Sequence, residues 1–342
     1  GTVSKYESIK TRDIGGLAVD SSSGVLYLSM GSRIGRMSPQ SVRSTWVGSG
    51  SDGYANGAGA NAAFKDAKGI VLAKNGDLFV ADTGNHLIRR VSAVGVVSDF
   101  SGVAGQAGFR DSAFGPALFD DLAALTLAPD GSLVVLDNGS VRHVAANGSV
   151  TTLYKNEALA SAYGVAVNAK GEILINTAEG ILLMPPEQPP VVLAGQPISY
   201  GVVDGSVSQA KFMGLREMTR DSAGNFYLSD GSSIRKISAD GSVSTYAKNL
   251  ANPGKMATDK KGNLYVIVGG RISESEVARS RILMIDSKGG VTTLADEQWS
   301  YLGGVAVDMS GNVVYAVCYD TPMYLPNILT CGAIRKISSG VI

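Results

Sequence analysis

One stretch of sequence recurs seven times along this 342-residue chain, and internal repetition of this kind constrains the fold before any local feature does. It opens with a small residue and an alternating apolar run. Examples are Gly16-Leu17-Ala18-Val19-Asp20, Gly69-Ile70-Val71-Leu72-Ala73 and Ala124-Leu125-Thr126-Leu127-Ala128, with further copies from Gly164, Glu217, Lys255 and Gly304. A glycine-containing turn follows, such as Pro129-Asp130-Gly131. Next come a second run (Asp77 to Asp82, Asn225 to Asp230), a third (Leu87 to Val91, Ser233 to Ile237, Ala333 to Ile337) and a fourth (Gly241 to Tyr246, Gly290 to Leu294).

Apolar residues alternating with polar ones between glycine turns mark half-buried strands. Four such strands joined by short turns form an antiparallel meander, and meanders arranged radially form a propeller. The repeat therefore predicts an all-β, seven-bladed β-propeller of four-stranded antiparallel blades, a single domain over residues 1–342. Its blades are expected near 13–48, 68–102, 122–155, 162–195, 215–248, 253–296 and 302–342, the last completed by a strand at 1–8. Gly1-Thr2-Val3-Ser4-Lys5-Tyr6 parallels Gly241-Ser242-Val243-Ser244-Thr245-Tyr246, so the N-terminal strand is expected to close the last blade. Pairing there would remove an aggregation-prone edge.

The second copy carries a recognisable signature: Phe64, Lys68-Gly69-Ile70 and Gly76-Asp77-Leu78-Phe79-Val80-Ala81-Asp82-Thr83-Gly84-Asn85-His86-Leu87-Ile88-Arg89-Arg90. It resembles an NHL repeat, including the Asn-His-Leu itself, and the similarity in pattern runs along essentially the whole chain. The fourth copy is abbreviated at Ala178-Glu179-Gly180 and the sixth expanded from Gly269 to Arg281. The resemblance implies a ligand-binding platform or, less often, a lyase or hydrolase, so fold alone leaves function open.

Composition narrows the classes. Thirty Lys+Arg balance thirty Asp+Glu, giving no electrostatic footprint for nucleic acid or an anionic membrane. No apolar run approaches the roughly 20 residues of a membrane-spanning helix. The 43 glycines fit many tight turns. No Gly-x-Ser-x-Gly elbow or phosphate loop stands in a strand-to-helix context.

Repeat positions supply an internal control: a residue that recurs is scaffold, and a departure is a candidate for function. Asp82, Asp137 and Asp230 recur at the end of the second strand, where a carboxylate accepts turn N–H groups. Arg89, Arg142, Arg235 and Arg335 share one third-strand position. His86 and His143, the only histidines, lack partners at metal-ligand spacing. Asn138 and Asn147 open Asn-Gly-Ser triplets, read as hairpin turns in preference to glycan acceptors. Arg220 occupies a register that is apolar in other copies, and its side chain is expected to snorkel to the plain face.

The turns between first and second, and third and fourth, strands are short throughout. Nearly all insertions fall on the opposite face, at 48–68, 101–122, 195–215, 268–281 and 318–333. Growth on one face marks it as the binding face. Three of these loops repeat one theme ending in Phe64, Phe119 and Phe212, which are expected to plug grooves between blades. Where first strands begin, most copies carry Gly or Ala, but Tyr163-Gly164, Arg216-Glu217 and Gly254-Lys255 depart. Trp299, Tyr301 and Tyr319 join them on the same face, with Tyr54 and Tyr324. This set reads either as a Glu217–Lys255 ion pair with aromatics shielding backbone, or as a polar pocket with stacking rings for a sugar or peptide.

Cys318 and Cys331 flank the seventh copy's long loop and are expected to form a disulfide, which implies an extracellular, cell-surface or periplasmic protein. The leading functional expectation is a non-catalytic, monomeric module without membrane insertion that binds a glycan or protein ligand. The alternative is a calcium-dependent lactonase or lyase at the channel mouth. Calcium accepts oxygen ligands without histidine.

Overall fold

A computed structural model describes residues 3–7, 15–20, 22–38, 43–162, 164–168, 170–177, 180–194, 201–206, 209–221, 223–238, 240–270, 279–298, 300–307, 313–320 and 329–337. Among them every long element is a strand, and the only helices are 3₁₀ turns at Gly59–Asn61, Thr83–Asn85, Ser112–Phe114 and Glu157–Ser161. No helix is long and apolar enough to cross a membrane. The chain clusters into two compact units, Gly15–Asp20 with Val25–Val192, and Gly1–Ile14 with Ser21–Gly24 and Leu193–Ile342.

Blade 1 comprises Gly16–Val19, Leu26–Ser29, Ile34–Met37 and Arg43–Val47, hydrogen-bonded in that order. Blade 2 comprises Ala67–Leu72, Leu78–Asp82, Leu87–Val91 and Val96–Gly102. Blade 3 runs through Leu122–Leu127, Leu133–Asp137, Ser140–Val144 and Val150–Lys155, and blade 4 through Gly164–Val167, Ile173–Thr177, Gly180–Met184 and Val191–Ala194. Blade 5 is Leu215–Arg220, Phe226–Asp230, Ser233–Ile237 and Ser242–Ala247; blade 6 is Met256–Thr258, Leu264–Gly270, Arg279–Ile285 and Val291–Gln298.

The expectation of seven equivalent four-stranded blades is corrected here. Six blades are built from contiguous chain, and two of these are five-stranded. Gly57–Ala58 adds a strand to the outer edge of blade 2, and Gly205–Ser206 does so in blade 5. The cause is local. The preceding loop turns at Gly57 (φ 136°) and Gly205 (φ 147°), a region that favours glycine, and so lies along the outer strand. The remaining sheet is composite: Ser300–Val307, Val313–Asp320 and Leu329–Ile337 are completed by Val3–Glu7. The N-terminal strand pairs antiparallel, with Val3 opposite Ile337 and Ser4 opposite Lys336, as its sequence parallel predicted.

Within the blades one turn is used repeatedly. At Ala73–Asp77, Ala128–Ser132, Ser238–Ser242 and elsewhere, the fourth residue is a glycine at φ near 86° (Gly76, Gly131, Gly241) whose N–H closes the turn. The outer strands of blades 1, 2, 3, 5 and 6 and the N-terminal strand also skip one residue in their register, at Trp46, Phe100, Leu153, Tyr246, Leu294 and Tyr6. Such bulges tighten the strand's twist.

The core lies between neighbouring blades. Ile34, Val47, Phe64, Leu78 and Val80 join blades 1 and 2, and Phe79, Ile88, Phe119, Leu133 and Val135 join blades 2 and 3. First strands approach backbone to backbone there. A Cβ on Gly15 would stand 2.6 Å from the Lys68 Cα, and one on Gly16 would stand 2.8 Å from the Lys68 carbonyl oxygen. Gly15 and Gly16 therefore serve packing, whereas a Cβ on the equivalent Gly164 would meet nothing within 4 Å.

Candidate functional site

The repeated arginines and aspartates turn out to be partners. Arg89, Arg142 and Arg235 are fully buried, and each Nη1 donates to the Asp that ends the preceding strand: Asp82 at 2.9 Å, Asp137 at 2.8 Å and Asp230 at 3.2 Å. The aspartates also accept turn N–H groups, as expected from sequence, including Lys65 N–H on Asp82 and Met213 and Gly214 N–H on Asp230. Burial pushes the Asp82 and Asp137 carboxyls above their ordinary range, against the hydrogen bonds they accept.

The guanidinium's other side holds the long loop that precedes the blade. Nη1 donates to the carbonyls of Ala63, Leu118 and Lys211, and Nη2 to those of Ala55, Arg110 and Val203. Nη2 also reaches Asn56 at 2.7 Å, Asp111 at 2.9 Å and Asp204 at 2.8 Å. Phe64, Phe119 and Phe212 lie 5.3, 4.8 and 4.9 Å from the respective guanidinium carbons, so they face the arginines as well as plugging the interior. Burial acts against ionisation of Asp111 and Asp204. The Thr152 and Thr245 N–H and hydroxyl donors, together with the arginines, nevertheless hold both carboxyls below the ordinary range.

Blades 1, 4 and 6 replace the pair jointly: Met30 with Gly35, Thr177 with Leu182, and Val268 with Leu283. In blade 1 the Met30 side chain occupies the space, since a Cβ on Gly35 would meet its Cε at 2.8 Å. Arginine, aspartate and long preceding loop thus come together in blades 2, 3 and 5. The arginine is a loop clasp. Tyr54 belongs to the same clasp: it stacks 4.9 Å from Arg89 and donates to Asp99, whose carboxylate forms an ion pair with Arg89, 3.1 Å from Nε. That hydrogen bond and burial raise the Tyr54 pKa.

At the start of the blade 5 first strand, Glu217 receives Lys255 Nζ at 2.8 Å, with both side chains partly open to solvent. Arg216 Nη1 donates to Asn252 Oδ1 at 2.6 Å, and Glu217 N–H donates to the Ser229 hydroxyl at 2.9 Å. The structure thus brings together Arg216, Glu217 and Lys255. Beside them a Cβ on Gly254 would find no described atom nearer than 3.8 Å. Tyr163 and Trp299 lie outside the described residues, as does Tyr324. Tyr301 and Tyr319 fall in strands whose side chains are not described. Cys318 and Cys331 are likewise described only by backbone, where they stand opposite one another in register.

Other residues settle into scaffold. His86 takes a left-handed conformation (φ 60°), and its Nδ1 lies 2.8 Å from the Asp120 carbonyl oxygen. Asn147 Oδ1 accepts the Ser149 N–H and hydroxyl, the side-chain bonds of a turn. Arg220 is half-buried, with its guanidinium carbon 5.9 Å from the Phe226 ring centre. Among the described residues no three His, Cys, Asp or Glu side chains converge as metal ligands. With Glu217 already paired to Lys255, the described mouth residues do not furnish a calcium cage.

These sheets define an all-β propeller. An NHL repeat is matched at residues 64–90, the segment running from the clasp phenylalanine Phe64 through Arg89 to Arg90. No curated protein matches it in sequence. Among solved structures, a virginiamycin B lyase variant from Staphylococcus aureus with Quinupristin is 10% identical, with a TM-score of 0.65 over 98% of both chains; it is a histidine-to-alanine form described as catalytically inactive. The extracellular domain of a hybrid two component system from Bacteroides thetaiotaomicron is 11% identical (TM-score 0.62), covering 99% of this chain and 42% of that one. An auxiliary nutrient binding protein from the same organism is 12% identical (TM-score 0.53), covering 96% and 69%. At such identities the likeness is one of fold.

Proposed function

We propose that this propeller is a non-catalytic binding module, exported or displayed on the cell surface, that engages a glycan or protein through its elaborated face. The observation that carries the reading is the set of arginine clasps. The long loops that precede blades 2, 3 and 5 are each held by a buried guanidinium, and a binding surface gains affinity when its loops are ordered beforehand. Arg216, Glu217 and Lys255 are the proposed contact residues, with Trp299, Tyr301 and Tyr319 as the aromatic complement. Their charges are paired yet solvent-accessible, so a polar ligand can exchange with the existing partners at little cost.

The lyase alternative draws on the virginiamycin B lyase likeness. In that enzyme the histidine-to-alanine form is described as inactive, whereas here His86 is committed to a backbone carbonyl. Export is supported by the extracellular and nutrient-binding neighbours and by the opposed cysteines, since facing antiparallel residues have Cα separations within disulfide range. Alkylation before and after reduction reads the bridge directly: protection of both thiols until reductant is added is expected, and two freely alkylated thiols would remove this support.

Binding is tested on a glycan array with the wild type and an Arg216→Ala/Glu217→Ala variant. The expected outcome is saturable binding weakened at least tenfold in the variant. Equal affinity would sink the site. Turnover of a streptogramin or an aldonolactone by the wild type would overturn the non-catalytic reading.

A further inference from the structure

A cavity of about 920 Å³ opens between blades 3 and 4, at the end of the blades opposite the elaborated loops. Its origin is visible by comparing equivalent positions. In blades 1, 2 and 5 an aromatic residue of the second strand packs against the bulged aromatic of the outer strand. The pairs are Tyr27–Trp46, Phe79–Phe100 and Tyr227–Tyr246, with ring centres 4.9, 4.7 and 4.9 Å apart. Blade 3 has Val134 and Leu153 at these two positions. Leu153 is left 42% exposed.

Two further reductions fall at the same spot. The cation beside the pair, Arg36, Arg90 or Lys236, is the shorter His143. The turn carboxylate that accepts the tyrosine hydroxyl in blades 5 and 6 (Asp221 from Tyr227 at 3.1 Å, Asp259 from Tyr265 at 3.0 Å) is Ala128. Blade 2, which keeps its rings and its cation, also has alanine at that turn position (Ala73), so two rings and a long cation are what blade 3 lacks at this place. The opposite wall includes Pro186 and Pro189, apolar surface against which a ring can be buried. The cavity falls in the size range of small-molecule sites.

We propose that this groove binds a small bicyclic aromatic molecule bearing a hydrogen-bond donor, which takes the place of the aromatic pair that blade 3 lacks. Asp130 supplies the acceptor. It lines the cavity two residues along the turn from the position of Asp221, and only one of its oxygens is engaged, by the N–H and hydroxyl of Ser132. Those donors hold its carboxyl below the ordinary range, so a phenol or indole N–H meets an anion. The site is independent of Arg216 and Glu217 and does not rest on the function proposed above.

The probe is 2-naphthol, titrated by fluorescence against the wild type, a Val134→Phe/Leu153→Phe variant that restores the blade 2 pair, and Arg216→Ala/Glu217→Ala. Saturable binding is expected for the wild type and Arg216→Ala/Glu217→Ala alike, weakened at least tenfold in the filled variant. The filled variant should keep or raise the thermal midpoint. Leu153→Phe alone serves if the double variant fails to fold. Equal binding by wild type and filled variant would overturn the assignment, and so would no saturation with the wild type.

Discussion

Replacing Arg142 by alanine is expected to destabilise blade 3 by about 3–5 kcal/mol, the scale for breaking a buried ion pair by removing one partner. The alanine leaves Asp137 fully buried with no opposing charge, and it strands the carbonyls of Leu118 and Arg110. It also opens a cavity between Phe109 and Phe119, whose rings lie 4.7 and 4.8 Å from the guanidinium carbon. Blade 4 suggests the compensating variant, because it carries Thr177 and Leu182 at the two positions. An Asp137→Thr/Arg142→Leu protein should recover part of the loss, since no lone charge remains buried. Its loop carbonyls stay unpaired, so amides from 103 to 119 should exchange with deuterium faster than in the wild type. Denaturant titration and hydrogen exchange read the two effects separately. A loss below about 1 kcal/mol for Arg142→Ala would put the pair among surface ion pairs and end its description as a clasp.

Much of this architecture is written in periodicity. Strand order, turn positions and the closing N-terminal strand follow from alternation and glycine spacing, because a meander has few ways to bury its apolar face. The clasp was half legible. Asp82, Asp137, Asp230 and the arginines stood out as recurrent, but their pairing across a hairpin and the reach to Asn56, Asp111 and Asp204 depend on register and side-chain direction, which spacing does not encode. The extra strands are not legible in the sequence, because two-residue pairings at Gly57–Ala58 and Gly205–Ser206 carry no alternation. The Glu217–Lys255 contact followed from adjacent positions on neighbouring first strands. The blade 3 groove had a sequence signal, the joint shortening at Val134, His143 and Leu153. It is visible only when each register is compared across blades.

Two turn glycines separate conformational strain from steric conflict. Gly131 and Gly148 have nearly the same backbone, φ 87° and 84°, each closing a turn in blade 3. A Cβ on Gly131 would meet nothing within 4 Å, whereas one on Gly148 would stand 2.3 Å from the Phe100 carbonyl oxygen of blade 2. Gly131→Ala should therefore cost only the left-handed penalty, about 1–2 kcal/mol. Gly148→Ala adds overpacking against main chain, for a total of about 2–5 kcal/mol. Retreat is restricted, because the Ser101 hydroxyl donates to the Gly148 carbonyl at 2.8 Å and ties the turn to the same strand. The relief available is a widening of the space between blades 2 and 3, which would loosen Phe79, Phe119 and Val150 together. Paired thermal and denaturant midpoints of the two variants measure the difference. Equal losses would mean that the blades part at no cost, contrary to an interior as closely packed as this one.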